Sequence, residues 1–453
     1  MKKTLFLLFF CLMSVVVCGQ KTNQRDYVSI RFAPSHADWV YAVGEQVEIE
    51  VAPICHYVPV PNIEMTYSWG PELRPAETEG RIFSGKDGEV CLSLQGLNEP
   101  GFKTLTVSVE VGGKTYTNYI NLAFAPEEIE PTTQLPKDFQ RFWKQTIAKC
   151  REIPLEPVFT PMPALSTPYC DAYEVRFQNF AEGQYLYGTL CVPKGVNPTD
   201  TNATHRYPAV IQWPGAGVKP HPGVRGFFPE RGVITIEMGI NGISVNMPQQ
   251  VYDDLRANAL RDYNTIHQDD REQYYYRKVY AGTVKTVDLL CFLPCVDTTR
   301  IGCFGGSQGG ALTIVNAALD PRIKAAAVCY PAMAELAGYV HGRVGGWPRF
   351  FRNRPVYDAK RQVQRADAVE AVVEQKVRAG EYYDVVNFAR FVKCPIWMQI
   401  GYNDQVCCPT STYSVYNTLS CKKELFTPLD CAHWQYPEHK DMRAEWLYNE
   451  LMK

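Results

Sequence analysis

The sequence predicts an α/β architecture, a mostly parallel sheet flanked by helices, preceded by a small all-β, immunoglobulin-like sandwich. Three observations predict it. From about residue 180 onward, short apolar strand-like runs alternate with helical segments, the pattern of parallel strands covered on both faces. Between about 25 and 125, apolar and polar residues alternate in short runs, the period of half-buried antiparallel strands. The chain has 453 residues, more than one core ordinarily serves at roughly 100 to 200 residues per domain. With 46% hydrophobic and 21% charged residues it has ample material to bury, so disorder is excluded.

The chain opens with MKKTLFLLFFCLMSVVVCG. Two lysines, an apolar stretch from Leu5 to Val17, and Val17 and Gly19 at the minus three and minus one positions predict a cleaved signal peptide over 1–19. The stretch is shorter than the roughly 20 residues that span a bilayer, and no comparable run follows. A transmembrane span is therefore not expected, and the periplasm or cell exterior is the expected location. Lipid anchoring at Cys18 is disfavoured because Val17 is bulky.

Residues 20–125 are assigned to the sandwich, through VEIEVAP, IEMTYSWG, EVCLSLQG and TVSVEVGGKTYTNYI. The last reads as a hairpin turning at Gly112 and Gly113. The aromatics here (Trp39, Tyr41, Tyr67, Trp69) suit a core as well as a carbohydrate surface. Residues 126–134, within a stretch carrying Pro126 and Pro131 and little to bury, read as a linker. The α/β domain then runs over 135–453. It opens with a helix behind Pro136 whose apolar face is Phe139, Phe142, Trp143 and Ile147. The strand-like runs that follow are YLYGTLCVP, PAVIQWPG, GVITIEM, RIGCFGG, IKAAAVCYP, PIWMQIG and KELFTPL.

Forty-six basic residues oppose 48 acidic ones, a formal net charge of −2. No long Lys/Arg run creates a field that would gather phosphates, so nucleic acid is excluded as a partner. Of 16 cysteines, Cys11 and Cys18 leave with the signal peptide. An oxidising compartment permits disulfides; Cys55 with Cys91 is the expected pair, and Cys303 and Cys329, in apolar runs, are expected as buried thiols. No cysteine or histidine pair has zinc spacing, and neither metal nor organic cofactor is expected.

The chemistry centres on GGSQGG. Gly305, Ser307 and Gly309 spell G-x-S-x-G between a strand-like RIGCF and a helix-like ALTIVNAAL, the setting of a nucleophile on a cramped strand-to-helix turn. Glycine-rich strand ends also bind phosphate or simply turn tightly, so partners decide the reading. A serine needs a base, and the base an acid. Asp404 follows PIWMQIG, and His433 lies in the loop after KELFTPL. The order Ser307, Asp404, His433 is that of an α/β-hydrolase. Asp430 and His439 are the weaker rivals, one in the same loop as His433, the other at an exposed helix start. For the oxyanion, donors are expected from the backbone N–H of Gln308, next after the nucleophile, and of Ala216 in WPGAG.

These residues, with PKDFQRFW, LYGTLCVPKG, YYYRKVYAGTVKTVDLL and GYNDQVCCPTSTYSVYN, make the chain from about 135 to 436 resemble the acetyl xylan esterase and cephalosporin C deacetylase family, carbohydrate esterase family 7. The resemblance implies an α/β-hydrolase that removes acetyl groups from sugar hydroxyls, with Ser307, Asp404 and His433 as its triad and Ala216 and Gln308 at its oxyanion site. It makes an acetylated carbohydrate the expected partner and raises homo-oligomerisation, since members form ring-like hexamers. The family's Arg-Gly-Gln motif is replaced here by a stretch ending in Asn241 and Gly242, its His-Glu pair by His433-Trp434, and an aromatic lining residue by Ala216. The competing readings are a secreted α/β-hydrolase serine peptidase, which usually carries a much larger N-terminal propeller, and a catalytically silent glycan-binding protein, against which the complete triad order argues.

Overall fold

The computed structural model describes residues 27–352 and 366–453; the predicted signal peptide lies outside the described residues. The N-terminal strands are β1 (Val28–Pro34), β2 (Val40–Tyr41), β3 (Val47–Cys55), β4 (Val58–Pro59), β5 (Glu64–Pro71), β6 (Thr78–Phe83), β7 (Val90–Leu94), β8 (Gly101–Val111) and β9 (Lys114–Phe124). They form a sheet in which β3 pairs with β1, β4 and β7, and a second sheet ordered β2-β9-β8-β5-β6. The β8–β9 hairpin turns at Gly112 and Gly113, both at positive φ.

Alternate residues of both sheets meet in one buried cluster, with Val47, Ile49 and Val51 from β3 facing Trp69, Leu105 and Val107. Tyr41 and Trp69 are buried in it, and Trp39 and Tyr67 pack against its margin. The expected Cys55–Cys91 disulfide is absent, and both are free thiols. The register explains why: Cys91 stands opposite Glu50, five positions along β3 from Cys55, beyond the roughly 7 Å that a disulfide tolerates between Cα atoms.

The segment read as a linker buries more than its composition suggested. Ile129 joins the main core of the molecule, Asn417 donates to the carbonyls of Pro126 (2.9 Å) and Ile129 (3.0 Å), and Thr132 bonds the buried Glu335 carboxylate.

The remaining strands are β10 (Val158–Pro161), β11 (Cys170–Gln178), β12 (Tyr185–Pro193), β13 (Tyr207–Trp213), β14 (Ile234–Gly239), β15 (Val296–Gly306), β16 (Ile323–Cys329), β17 (Ile396–Gln399) and β18 (Lys423–Phe426). They form one sheet ordered β10-β11-β12-β14-β13-β15-β16-β17-β18. From β14 onward the pairs are parallel. The run YLYGTLCVP, β12, is instead antiparallel to both neighbours, and β10 and β11 extend that antiparallel edge before residue 180.

The helices are α1 (Phe139–Arg151), α2 (Gln249–Ala257), α3 (Tyr276–Phe292), α4 (Gln308–Leu319), α5 (Ala366–Gly380), α6 (Val385–Ala389), α7 (Pro409–Thr418) and α8 (Pro437–Met452). Because side chains alternate along a strand, Ile211 and Cys303 pack in the core with α1, α3, α4 and α6, while Val210 and Phe304 meet Leu447 and Leu451 of α8. Both faces of the sheet are thus covered, and its central strands β13 to β17 are largely buried. The buried face of α1 is Phe139, Phe142, Trp143, Thr146 and Cys150. Ile147, expected on that face, is turned about 100° from Thr146 around the helix and is only half-buried. Among the described residues no helix is long and apolar enough to cross a membrane.

Candidate active site

The parallel register sets Gly306 beside Cys329, Cys329 beside Gln399 and Gln399 beside Phe426. Four strands therefore end on one line, the carboxyl rim where open α/β sheets hold their ligands. Ser307 and Tyr330 directly follow β15 and β16, Asp404 lies between β17 and α7, and His433 between β18 and α8.

Ser307 sits at φ 60°, ψ −127°, a conformation that an L-residue keeps only when its surroundings force it. Its amide donates to the Cys329 carbonyl (3.1 Å), and its carbonyl accepts from Ala311 and Ala332 (both 3.0 Å). The neighbouring glycines are dictated by close approach. A Cβ on Gly305 would lie 2.5 Å from the Gly309 carbonyl, one on Gly309 2.2 Å from the Trp213 oxygen, and one on Gly310 2.7 Å from the Cys329 oxygen. The turn folds tightly on itself and presses against the ends of β13 and β16, and Ser307 is its one hydroxyl-bearing residue.

Asp404 is fully buried. Its Oδ1 accepts from the amides of Val406 (2.7 Å) and Cys407 (2.9 Å), and its Oδ2 lies 2.8 Å from His433 Nδ1. A carboxylate only accepts, so His433 donates through Nδ1 and offers Nε2 as an acceptor. The imidazole keeps 27% of its side chain exposed and packs on the Tyr330 ring at 4.7 Å. That same ring approaches within 3.0 Å of where a Gly306 Cβ would be, so Tyr330 stands beside both the elbow and the imidazole. Burial pushes its phenol up.

The Ser307 Oγ contact among the described residues is Cys407 Sγ at 4.0 Å, and a serine–imidazole hydrogen bond is not formed; such bonds commonly tighten only when substrate arrives. The Cys407 thiol, raised well above its ordinary range by burial and by Asp404, stays neutral beside the hydroxyl. The rivals stand elsewhere: Asp430 is exposed and accepts from Tyr436. His439 is half-buried on α8, its ring 4.8 Å from that of Phe426 and 5.0 Å from that of Tyr436.

Gln308 is the first residue of α4, and amides in a helix's first turn lack an intrahelical acceptor. The loop carrying Ala216 is drawn to it: a Cβ on Gly215 would lie 3.9 Å from the Gly306 oxygen. The Gln308 side chain, a feature the sequence did not flag, ties the two loops together. Its Oε1 accepts from Tyr263 (2.7 Å) and Tyr276 (2.8 Å), and its Nε2 donates to the Pro214 carbonyl (3.4 Å). The Tyr263 hydroxyl accepts from the Gly217 amide (3.2 Å). Asn241, in the stretch that departs from the family motif, donates to the Gly217 carbonyl (3.2 Å) and accepts from Tyr275 (2.9 Å). The run of tyrosines at 274–276 was the available signal, but nothing local to it names Gln308 as partner. Among the described residues no group of three His, Cys, Asp or Glu side chains is placed to hold a metal ion.

A mixed sheet with helices on both faces, and a serine elbow and an acid–imidazole pair on its carboxyl rim, define an α/β-hydrolase. The comparisons with known proteins narrow this further. Residues 125–450 match the family model described as acetyl xylan esterase, and the chain belongs to that family; it is a carboxylic ester hydrolase. It is similar to an acetyl esterase, Axe7A, of Xylanibacter ruminicola, with 34% identity over 100% of this chain and 97% of the relative. Two solved structures share the fold. One is an acetyl xylan esterase from Paenibacillus sp. R4 (TM-score 0.58, 24% identity, 72% of this chain and 98% of that one). The other is acetyl xylan esterase 1 from Thermoanaerobacterium sp. JW/SL YS485 (TM-score 0.55, 21% identity, 72% and 97%).

Proposed function

We propose that this chain is an exported serine esterase that removes acetyl groups from acetylated xylan, xylo-oligosaccharides and related acetylated sugars through an acyl-enzyme. The observation that carries the reading is the buried Asp404 carboxylate, 2.8 Å from His433 Nδ1, on the same rim as a serine held at positive φ. In this reading His433 Nε2 takes the proton of Ser307 Oγ as that oxygen attacks the acetyl carbonyl carbon. The oxyanion rests on the amides of Gln308 and Ala216. His433 then returns the proton to the departing sugar oxygen, leaving acetyl-Ser307. Water, deprotonated by the same nitrogen, attacks the acyl carbon and releases acetate and the serine hydroxyl.

The family and the acetyl esterase relative support an acetyl ester as substrate. The leader-like start of the chain supports export to the periplasm or cell exterior. The test is acetate release from acetylated xylan, pectin, mannan and small acetylated sugars, with Ser307→Ala as control. Acetate from the xylan substrates that vanishes in the variant is expected; a Ser307→Ala enzyme with parental turnover would overturn the assignment.

A further inference from the structure

The loop that carries Asp404 is held from outside its own domain. Tyr119 and Asn121, on β9 of the N-terminal sheets, reach across to it. The Tyr119 hydroxyl donates to the Asn403 carbonyl (2.9 Å), the Asn121 amide donates to Asn403 Oδ1 (2.9 Å), and Asn121 Nδ2 donates to the Tyr402 carbonyl (2.7 Å). Beside them the ring of Phe102 on β8 stands edge-on to Tyr402 at 5.0 Å. Asn121 is fully buried, its own Oδ1 fixed by Thr104 (2.6 Å), so its rotamer is locked before it meets the loop.

Asn403 does more than receive these bonds. Its amide donates to the Cys431 carbonyl (3.1 Å), two residues before His433, and the contact is close: a Cβ on neighbouring Gly401 would fall 2.4 Å from that same oxygen. One residue thus joins the β-module, the acid loop and the base loop, and it directly precedes Asp404. Edge groups of β9 that an isolated sandwich would leave to water are satisfied by this loop instead.

We infer that the N-terminal β-module is a working part of the esterase site: Tyr119 and Asn121 are positioning residues that, through Asn403, hold Asp404 and His433 in register. The inference rests on the assignment of Asp404 as the acid of the triad. Orienting groups remote from the reacting atoms matter because about 1 Å of misplacement can cost on the order of a hundredfold in rate. Removing one or two of several bonds displaces the loop by less, so a kcat loss of about tenfold is expected.

The test compares Tyr119→Phe and Asn121→Ala in the full-length enzyme, each also made in an Asp404→Asn background, with kcat and KM measured on p-nitrophenyl acetate. The expected result is a loss of about tenfold in kcat with KM within about twofold of the parent, and little or no further loss in the Asp404→Asn background. Tyr119→Phe deletes a single hydroxyl and serves where Asn121→Ala fails to fold, as thermal melting will show. Unchanged kcat in Tyr119→Phe, or a loss of the same size in both backgrounds, would overturn the inference while leaving the triad standing. An Asp404→Asn enzyme as active as the parent would remove the acid assignment itself, and this inference with it.

Discussion

In the proposed triad, replacing Asp404 by Asn isolates the electrostatic role of the acid from its shape. The carboxylate has two faces in use: Oδ1 takes the Val406 and Cys407 amides, and Oδ2 faces His433 Nδ1 at 2.8 Å. An asparagine has one acceptor and one donor to divide between them. Turning its NH2 toward the two backbone N–H groups would abandon two buried hydrogen bonds, at about 1 to 3 kcal/mol for each group left unsatisfied. The favoured arrangement keeps the oxygen there and aims the NH2 at Nδ1. The imidazole must then accept at Nδ1 and carry its proton on Nε2, the tautomer that cannot take a proton from Ser307. A wrong tautomer in an otherwise intact triad lowers kcat by about 10⁴-fold, or about 5 kcal/mol of transition-state stabilisation. Steady-state kinetics on p-nitrophenyl acetate near neutral pH, with Asp430→Asn as an expected near-neutral control, measure it. A loss smaller than about tenfold would refute the reasoning, because it would mean that the imidazole does not depend on this carboxylate for its orientation.

Other outcomes follow from the same geometry. Glu72 is wholly buried; desolvation, the first cause, pushes its carboxyl up to about 8, with Oε2 accepting from the Thr410 amide (3.2 Å). The folded chain therefore holds a proton that the unfolded chain releases, so stability falls as pH rises from the ordinary carboxylate range to about 8, by an amount on the order of 5 kcal/mol. Glu72→Gln should flatten this decline in melting temperature between pH about 5 and about 9, and equal pH dependence in both proteins would contradict the burial argument. Gly309→Ala places a Cβ 2.2 Å from the Trp213 carbonyl oxygen, backbone against backbone, and should abolish turnover with a destabilisation of several kcal/mol; an active enzyme of parental melting temperature would show that the two segments separate easily. Tyr263→Phe removes a hydroxyl bonded to both Gln308 and Gly217 and should lower kcat about fivefold, the equivalent of one hydrogen bond of about 1 kcal/mol, with KM little changed. An unaltered kcat would detach that brace from the proposed oxyanion role of the Gln308 and Ala216 loops.

What could be read from the sequence was what is local. GGSQGG declares a crowded turn because only glycine tolerates backbone contacts of 2.2 to 2.7 Å, and the apolar runs declare strands because both faces of the sheet are covered. The pairing of Asp404 with His433 was legible from their places after successive strands. The antiparallel edge was not, because β10 is a largely exposed strand of four residues whose pattern lacks a buried face. The 126–134 segment misled for a related reason: three scattered residues, Pro126, Ile129 and Thr133, do its burying, which composition over nine positions hides. The Cys55–Cys91 expectation failed because register, set by pairing between distant strands, decides whether two thiols meet. The Gln308 brace and the β9 bonds to Asn403 join residues far apart in the chain, and no periodicity records them.

The seam between β9 and the 402–403 segment bears on how the gene can be cut and recombined. A chain begun at residue 125, where the family match starts, would bare the Tyr402 and Tyr413 rings that Phe102 now covers and strand two carbonyls without donors. Transplanting the hydrolase alone into a chimera should therefore require grafted substitutes for Tyr119 and Asn121, whereas exchanging the outer strands β4 and β6, which pair with β3 and β5, leaves the seam untouched.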